Sequence, residues 1–164
     1  MRFSPLVLML GLATSTIAIP AASQRPDNQL APRSVEYARR GEAALAAGNY
    51  IAADDALETA LIIDPRNRGA FTTMARVAIK QKLFGQAIRL TNKALALEPT
   101  DRDALAVQGE AMVEAGAVPR ARDTLAKLQK LCAGPCPQAA SLSAAIARGP
   151  AMAEAKPAAT KKVN

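Results

Sequence analysis

The chain has 164 residues, a formal net charge of +7 and no histidine. The lack of histidine excludes Ser-His and Cys-His nucleophile systems, haem attachment and most zinc sites. With two Tyr, three Phe and no Trp, the chain offers few stacking platforms for bases, so no nucleic-acid partner is expected. No Gly-rich phosphate loop is present either, which argues further against a catalytic site.

The N-terminal 23 residues have the pattern of a secretory signal. A short basic start precedes an apolar run over residues 3–19, which is shorter than the roughly 20 residues that a spanning helix needs. Small residues follow, with Ala21 and Ser23 at the −3 and −1 positions before Gln24. We expect cleavage of residues 1–23 and no membrane span in the mature chain; an uncleaved anchor is the alternative. Residues 24–33 contain two prolines without apolar periodicity and are predicted to be a linker.

Helix start and stop signals recur from Ser34 onward. Ser34 is predicted to cap the first helix and Gly48-Asn49 to end it. Asp64-Pro65 should end the second helix, because a residue before proline is disfavoured in the α region. The same signals predict seven helices, at residues 34–47, 50–63, 68–81, 84–97, 102–115, 118–132 and 138–148.

The helical segment contains an internal repeat. Pro65 and Pro99 lie 34 residues apart, and the residues before them match at the same offset. The matched pairs are Tyr37 with Phe71, Tyr50 with Phe84, Ala53 with Ala87, and Ala60 with Ala94. A fixed period of this length is typical of a solenoid, in which each unit buries its apolar face against its neighbours. We divide the array into repeats at 34–67, 68–101 and 102–132.

The third repeat ends differently from the first two. A turn bounded by Cys132 and Cys136 replaces the expected proline, and residues 133–148 are interpreted as this turn and a capping helix. An even number of cysteines in an exported chain predicts a disulfide, which would contribute about 2 kcal/mol in the loop-entropy account. A redox pair is the alternative. Residues 149–164, rich in Ala, Pro and Lys, are predicted to be a disordered basic tail.

The repeat resembles the tetratricopeptide repeat family, whose 34-residue helix-turn-helix unit favours small residues at positions 8, 20 and 27 and proline at position 32. With Pro65 and Pro99 at position 32, the small positions hold Gly41, Ala53 and Ala60, then Ala75, Ala87 and Ala94, then Gly109 and Ala121. Leu128 departs from the pattern at position 27 of the third repeat. The resemblance implies an all-α helical solenoid of three helix-turn-helix repeats plus a C-terminal capping helix.

The resemblance also implies a concave groove formed by the first helix of each repeat. The predicted groove residues are Glu42, Leu45, Asn67, Thr72, Arg76, Ile79, Lys80, Asp101 and Glu110. Leu45, Ile79 and Val113 stand in register and suit an extended or helical segment of a partner. Arg76 and Lys80 are then placed to pair with a carboxylate, or else they are ordinary solvated charges.

The groove pattern differs from that of cytosolic chaperone adaptors of this family. Those adaptors hold a C-terminal carboxylate with Lys and Asn, and Ala38 and Glu42 stand at the corresponding positions. No catalytic pair is apparent either, because the side chains of neighbouring Asp54 and Asp55 diverge on a helix.

We therefore expect a non-catalytic protein-binding adaptor or assembly factor of a bacterial envelope, without cofactor or metal, whose partner is another protein or peptide segment. The signal and the Ala- and Arg-rich composition indicate a periplasmic or secreted protein of a Gram-negative bacterium. The alternative is a self-associating structural repeat protein.

Overall fold

The computed structural model describes residues 29–151, which form seven α-helices. The helices are α1 (Pro32–Ala46), α2 (Tyr50–Ile63), α3 (Arg68–Lys80), α4 (Phe84–Leu97), α5 (Arg102–Glu114), α6 (Val118–Lys130) and α7 (Pro137–Arg148). Every predicted helix is present, with its ends within two residues of the prediction. The predicted signal segment, half of the predicted linker and most of the predicted basic tail lie outside the described residues. Within 29–151, no helix is both long and apolar enough to cross a membrane.

The helices pack as consecutive pairs, α1 with α2, α3 with α4, and α5 with α6, and each pair packs on the next. Ala53, Ala87 and Ala121, at position 20 of the three repeats, are completely buried. At Gly41 a Cβ atom would lie 2.5 Å from Leu57 Cγ, so α1 and α2 approach too closely there for any larger residue. The small positions of the repeat therefore allow each helix pair to close, and the predicted solenoid is confirmed.

Three helices end in the same backbone motif. The residues after the C-caps of α1, α3 and α5 are Gly48, Lys82 and Gly116, exactly one period apart, with φ of 73°, 62° and 78°. At each end the next N–H donates to a carbonyl five residues earlier; for Leu83 and Ala78 the N···O distance is 2.7 Å. The N–H of the left-handed residue itself donates to the carbonyl three residues earlier, as from Lys82 to Ile79 at 2.9 Å. These two bonds together define the Schellman motif, which normally has glycine at the left-handed position. Lys82 is the exception to that preference.

The beginning of α1 differs from the prediction. The helix starts at Pro32 after Ala31, since proline at the first position lacks an N–H that would otherwise need a partner. The prediction that Ser34 caps the helix is wrong. Ser34 is buried in the first turn, where its Oγ donates to the carbonyl of Ala60 at 2.8 Å and accepts from Asn67 Nδ2 at 2.9 Å.

The starts of successive first helices are linked through positions 1 and 34 of the repeat. Asn67, the N-cap of α3, is joined to Ser34 near the start of α1 by the buried neutral hydrogen bond just described. One period later, Arg68 Nε lies 2.9 Å from Oδ2 of Asp101, the N-cap of α5, and the Arg68 side chain is 55% exposed. The first link is thus a buried amide–hydroxyl bond, and the second is an ion pair between an exposed arginine and a mostly buried aspartate.

Asp64 at the end of α2 forms a second connection to the start of α1. Its Oδ2 accepts from the Ala31 N–H at 2.9 Å, and its Oδ1 accepts from the backbone N–H and Nε of Arg66, both at 3.1 Å. The Arg66 side-chain bond is the main reason that the pKa of Asp64 is lowered to about 2; burial opposes the shift and the Ala31 bond adds to it. Asp64 is therefore a charged acceptor inside the fold.

Helix α7 covers the end of the array, as predicted. Leu142, 1% exposed, packs against Leu105 and Leu128, and a Cβ at Gly109 would lie 2.5 Å from a Leu142 methyl carbon. The turn before α7 brings together the Sγ atoms of the only two cysteines, Cys132 and Cys136, which are placed as a disulfide pair. The apolar end of the third repeat is thus closed by α7.

Candidate partner-binding groove

Five of the nine predicted groove residues line one cavity of about 200 Å³. They are Leu45 from α1, Arg76, Ile79 and Lys80 from α3, and Glu110 from α5. The three helices lie side by side because each is the first helix of its repeat, and both α1 and α5 contact α3 directly. We call this the first groove cavity. It combines an apolar surface with two cations and one carboxylate.

A second groove cavity of about 270 Å³ continues from the first towards α7. It shares Arg76 and Glu110 with the first cavity and is also lined by Asp103, Ala106, Val107, Pro137, Gln138, Ser141 and Leu142. Gln138 at the start of α7 donates to Asp103 Oδ1 at 3.0 Å. The capping helix therefore forms one wall of the groove, a role that the sequence prediction did not assign to it.

The two cations of the first groove cavity have no internal partner. Within residues 29–151, Arg76 and Lys80 form no hydrogen bond or ion pair, and neither does Glu110. Leu45 and Ile79 are half-buried beside them. Arg76 and Lys80 are therefore free to pair with the carboxylates of a bound segment whose apolar side chains contact Leu45 and Ile79.

Two predicted groove residues are buried and must be corrected. Asn67 is 3% exposed, because its Oδ1 accepts from the Ala70 N–H at 3.1 Å while its Nδ2 reaches the start of α1. Thr72 is also 3% exposed, and its Oγ1 donates to the Arg68 carbonyl at 3.0 Å. Val113, expected in register with Leu45 and Ile79, is completely buried against Ala117 and Ile146. None of these three side chains can contact a partner.

The remaining two predicted residues, Asp101 and Glu42, line neither groove cavity. Asp101 caps α5, where Oδ1 accepts from the backbone N–H groups of Asp103 and Ala104, both at 3.0 Å. Its other oxygen is paired with Arg68, so Asp101 holds the fold together instead of presenting a free carboxylate. Glu42 is exposed on α1 and lines neither groove cavity.

The described residues contain no cluster of side chains that could bind a metal ion. No group of three His, Cys, Asp or Glu side chains within 29–151 is arranged to hold a metal ion. Asp54 has a pKa that is raised mainly by burial and further by the neighbouring charge of Asp55, against a hydrogen bond from Gln81 at 3.3 Å. This carboxylate bridges α2 to the end of α3 and has a structural role.

Comparison with known families and structures agrees with this architecture. The family model described as "Tetratricopeptide repeat" matches residues 44–108. The three helix pairs and their 34-residue period, together with this match, are consistent with a tetratricopeptide-repeat helical solenoid in the described part of the chain. A search of curated proteins gave no match.

Several solved structures have the same fold. The first TPR domain of Spaghetti (RPAP3) bound to the HSP90 peptide SRMEEVD is 20% identical, with a TM-score of 0.65, covering 78% of this chain and 100% of that one. The Sgt2 TPR domain from Aspergillus fumigatus is 21% identical, with a TM-score of 0.65, covering 82% and 91%. An O-GlcNAc transferase from Thermobaculum terrenum is 22% identical, with a TM-score of 0.63, covering 70% of this chain but only 22% of the enzyme. These similarities establish the fold.

Proposed function

We propose that this protein is a non-catalytic adaptor or assembly factor that holds a segment of another protein in its concave groove. The observation that carries the proposal is the first groove cavity, where Leu45 and Ile79 lie beside Arg76 and Lys80, two cations without an ion-pair partner among residues 29–151. An apolar contact flanked by charges suits a peptide with an apolar anchor and nearby carboxylates. A solved structure of the same fold is bound to the peptide SRMEEVD, which supports a peptide segment as the ligand.

The proposed location is the envelope of a Gram-negative bacterium, either the periplasm or the exterior. Residues 1–23 have the signal pattern, and a bridge between the two cysteines, Cys132 and Cys136, would suit an oxidising compartment. Fractionation of cells expressing the full chain, with mass spectrometry of the recovered protein, tests the location. Protein that begins at Gln24 in the periplasmic fraction would support the proposal, and full-length protein in the cytoplasm would contradict it.

The groove is tested by crosslinking and pull-down from an envelope extract. We expect Leu45→Ser with Ile79→Ser to reduce capture of the crosslinked partner at least tenfold, because the apolar anchor loses its contact surface. The matched control is Leu83→Ser with Leu97→Ser, two leucines that are 46% and 45% exposed and line neither groove cavity. Equal capture by the groove variant and the control would place the binding site elsewhere.

A further inference from the structure

One face of α2 carries an exposed apolar and acidic stripe. Ile51 is 76% exposed and Ile62 is 82% exposed, and the exposed carboxylates of Asp55 and Glu58 lie between them. Spacings of four, three and four residues put the four side chains on one side of the helix, with the ends about 16 Å apart. Within the described residues, neither carboxylate has an ion-pair partner. We call these four residues the α2 stripe.

The α2 stripe is absent from the equivalent helices of the other repeats. The corresponding residues are Gly85, Arg89, Asn92 and Ala96 in α4, and Pro119, Asp123, Ala126 and Lys130 in α6. The fold therefore does not require large apolar residues at these positions. A single exposed isoleucine needs no explanation, but two on one helix face around a pair of carboxylates indicate a contact surface.

The first groove cavity is complementary to the α2 stripe in both polarity and charge. The stripe offers two apolar side chains and two carboxylates. The cavity offers Leu45 and Ile79, with Arg76 and Lys80 one helical turn apart on α3. Glu110 is the one carboxylate that lines this cavity, so its three charges sum to +1 against −2 for the stripe. A groove of parallel helices also suits a helix as its occupant.

We propose that the α2 stripe of one copy docks into the first groove cavity of a second copy. The stripe isoleucines contact the apolar part of the cavity, and the stripe carboxylates pair with its two cations. A two-fold contact between two α2 stripes is disfavoured, because it would set carboxylates against carboxylates. Since stripe and groove are different surfaces, the contact is head-to-tail, and copies joined in this way form either a closed ring or an open chain with a free stripe at one end and a free groove at the other. The proposal does not depend on the adaptor function.

Charge exchange between two variants tests this contact directly. The average mass of the full chain is measured by sedimentation velocity over a range of concentrations, and we expect the wild-type mass to rise with concentration. Asp55→Lys with Glu58→Lys should raise the dissociation constant at least tenfold, and so should Arg76→Glu with Lys80→Glu. An equimolar mixture of the two variants should recover the wild-type mass, because each stripe then meets a groove of opposite charge.

Two further variants separate charge pairing from general effects. Asp123→Lys with Ala126→Lys places lysines at the same repeat positions on α6 and should associate like the wild type. Ile62→Ser should weaken association without changing any charge, and its helix should remain intact because the side chain is 82% exposed. Circular dichroism checks that each variant is folded. All variants carry the same N-terminal residues. Association through those residues would therefore be equal in the charge-reversed variants, in their mixture and in the wild type.

The proposal fails if the wild-type chain stays monomeric at every concentration, or if the charge-reversed variants associate as the wild type does. It also fails if the two reversed variants do not associate when mixed. A monomeric chain that still loses its crosslinked partner on groove substitution would overturn only the self-docking contact, so the two proposals can fail independently.

Discussion

In one of the three Schellman motifs a lysine stands at the position where the other two have glycine, and this difference leads to a stability prediction. Lys82 has φ of 62°, where Gly48 and Gly116 occupy the equivalent positions. A residue with a Cβ is destabilised by about 1–2 kcal/mol in the left-handed region. Glycine at the same position loses about 0.5–1 kcal/mol through the greater entropy of the unfolded chain. Lys82→Gly should therefore stabilise the protein by about 0.5–1 kcal/mol.

The reverse substitutions at the two glycine positions measure the free-energy cost of a Cβ in the left-handed conformation independently. A Cβ at Gly48 or Gly116 would meet no atom within 4 Å, so only the backbone conformation is penalised. We expect Gly48→Ala and Gly116→Ala each to destabilise by about 1 kcal/mol. Lys82→Ala keeps the Cβ and should be near neutral, which separates the backbone effect from loss of the lysine side chain.

Urea unfolding followed by circular dichroism measures these changes. The midpoint should move up for Lys82→Gly and down for the two alanine variants, with an unchanged slope against urea. A neutral or destabilising Lys82→Gly, beside the expected loss at Gly48→Ala, would refute the argument. In that case Lys82 would contribute an interaction that outweighs its backbone conformation.

The other predictions concern packing, pH and the cysteines. Gly109→Ala should destabilise by about 1–3 kcal/mol because its Cβ would overlap Leu142, and a double-mutant cycle with Leu142→Ala in urea unfolding should show a non-additive effect. The pKa of Asp64 is lowered in the folded state, so its contribution to stability is present above about pH 4 and is lost as the pH falls towards 2. That contribution is at most about 2 kcal/mol, since the Arg66 side chain is 40% exposed and partly screened, and acid unfolding of Asp64→Asn should lack it. Non-reducing mass spectrometry should find Cys132 and Cys136 bonded; two free thiols in exported protein would contradict the predicted bridge.

The repeat pattern predicts the fold well because the signals that end helices are local. Asp64-Pro65 and Gly48 act on their own backbone, so the helix ends follow from adjacent residues. The inward positions follow from the period, since Ala53 and Ala87 must meet the partner helix at the same place in each repeat. These features need no knowledge of distant contacts.

The groove is less predictable, because exposure depends on which side-chain bonds form across repeats. Asn67 is a good helix cap by residue type, and that local preference was the available signal that its amide is engaged in the fold. Thr72 can be buried because its hydroxyl bonds to a carbonyl four residues earlier, which repeat position alone does not reveal. The contribution of Gln138 depends on how α7 lies across α5, and that orientation has no local sequence signal.

The two links between first helices imply different responses to ionic strength. The Ser34–Asn67 bond is buried and uncharged, so salt should leave the spacing of α1 and α3 unchanged. The Arg68–Asp101 pair is charged and its arginine is exposed to solvent, so its attraction weakens as salt screens the charges. Raising the salt concentration should therefore increase the rate of amide hydrogen exchange more near the start of α5 than near the start of α3. Opening of the array would then begin on the side of the groove that α7 covers.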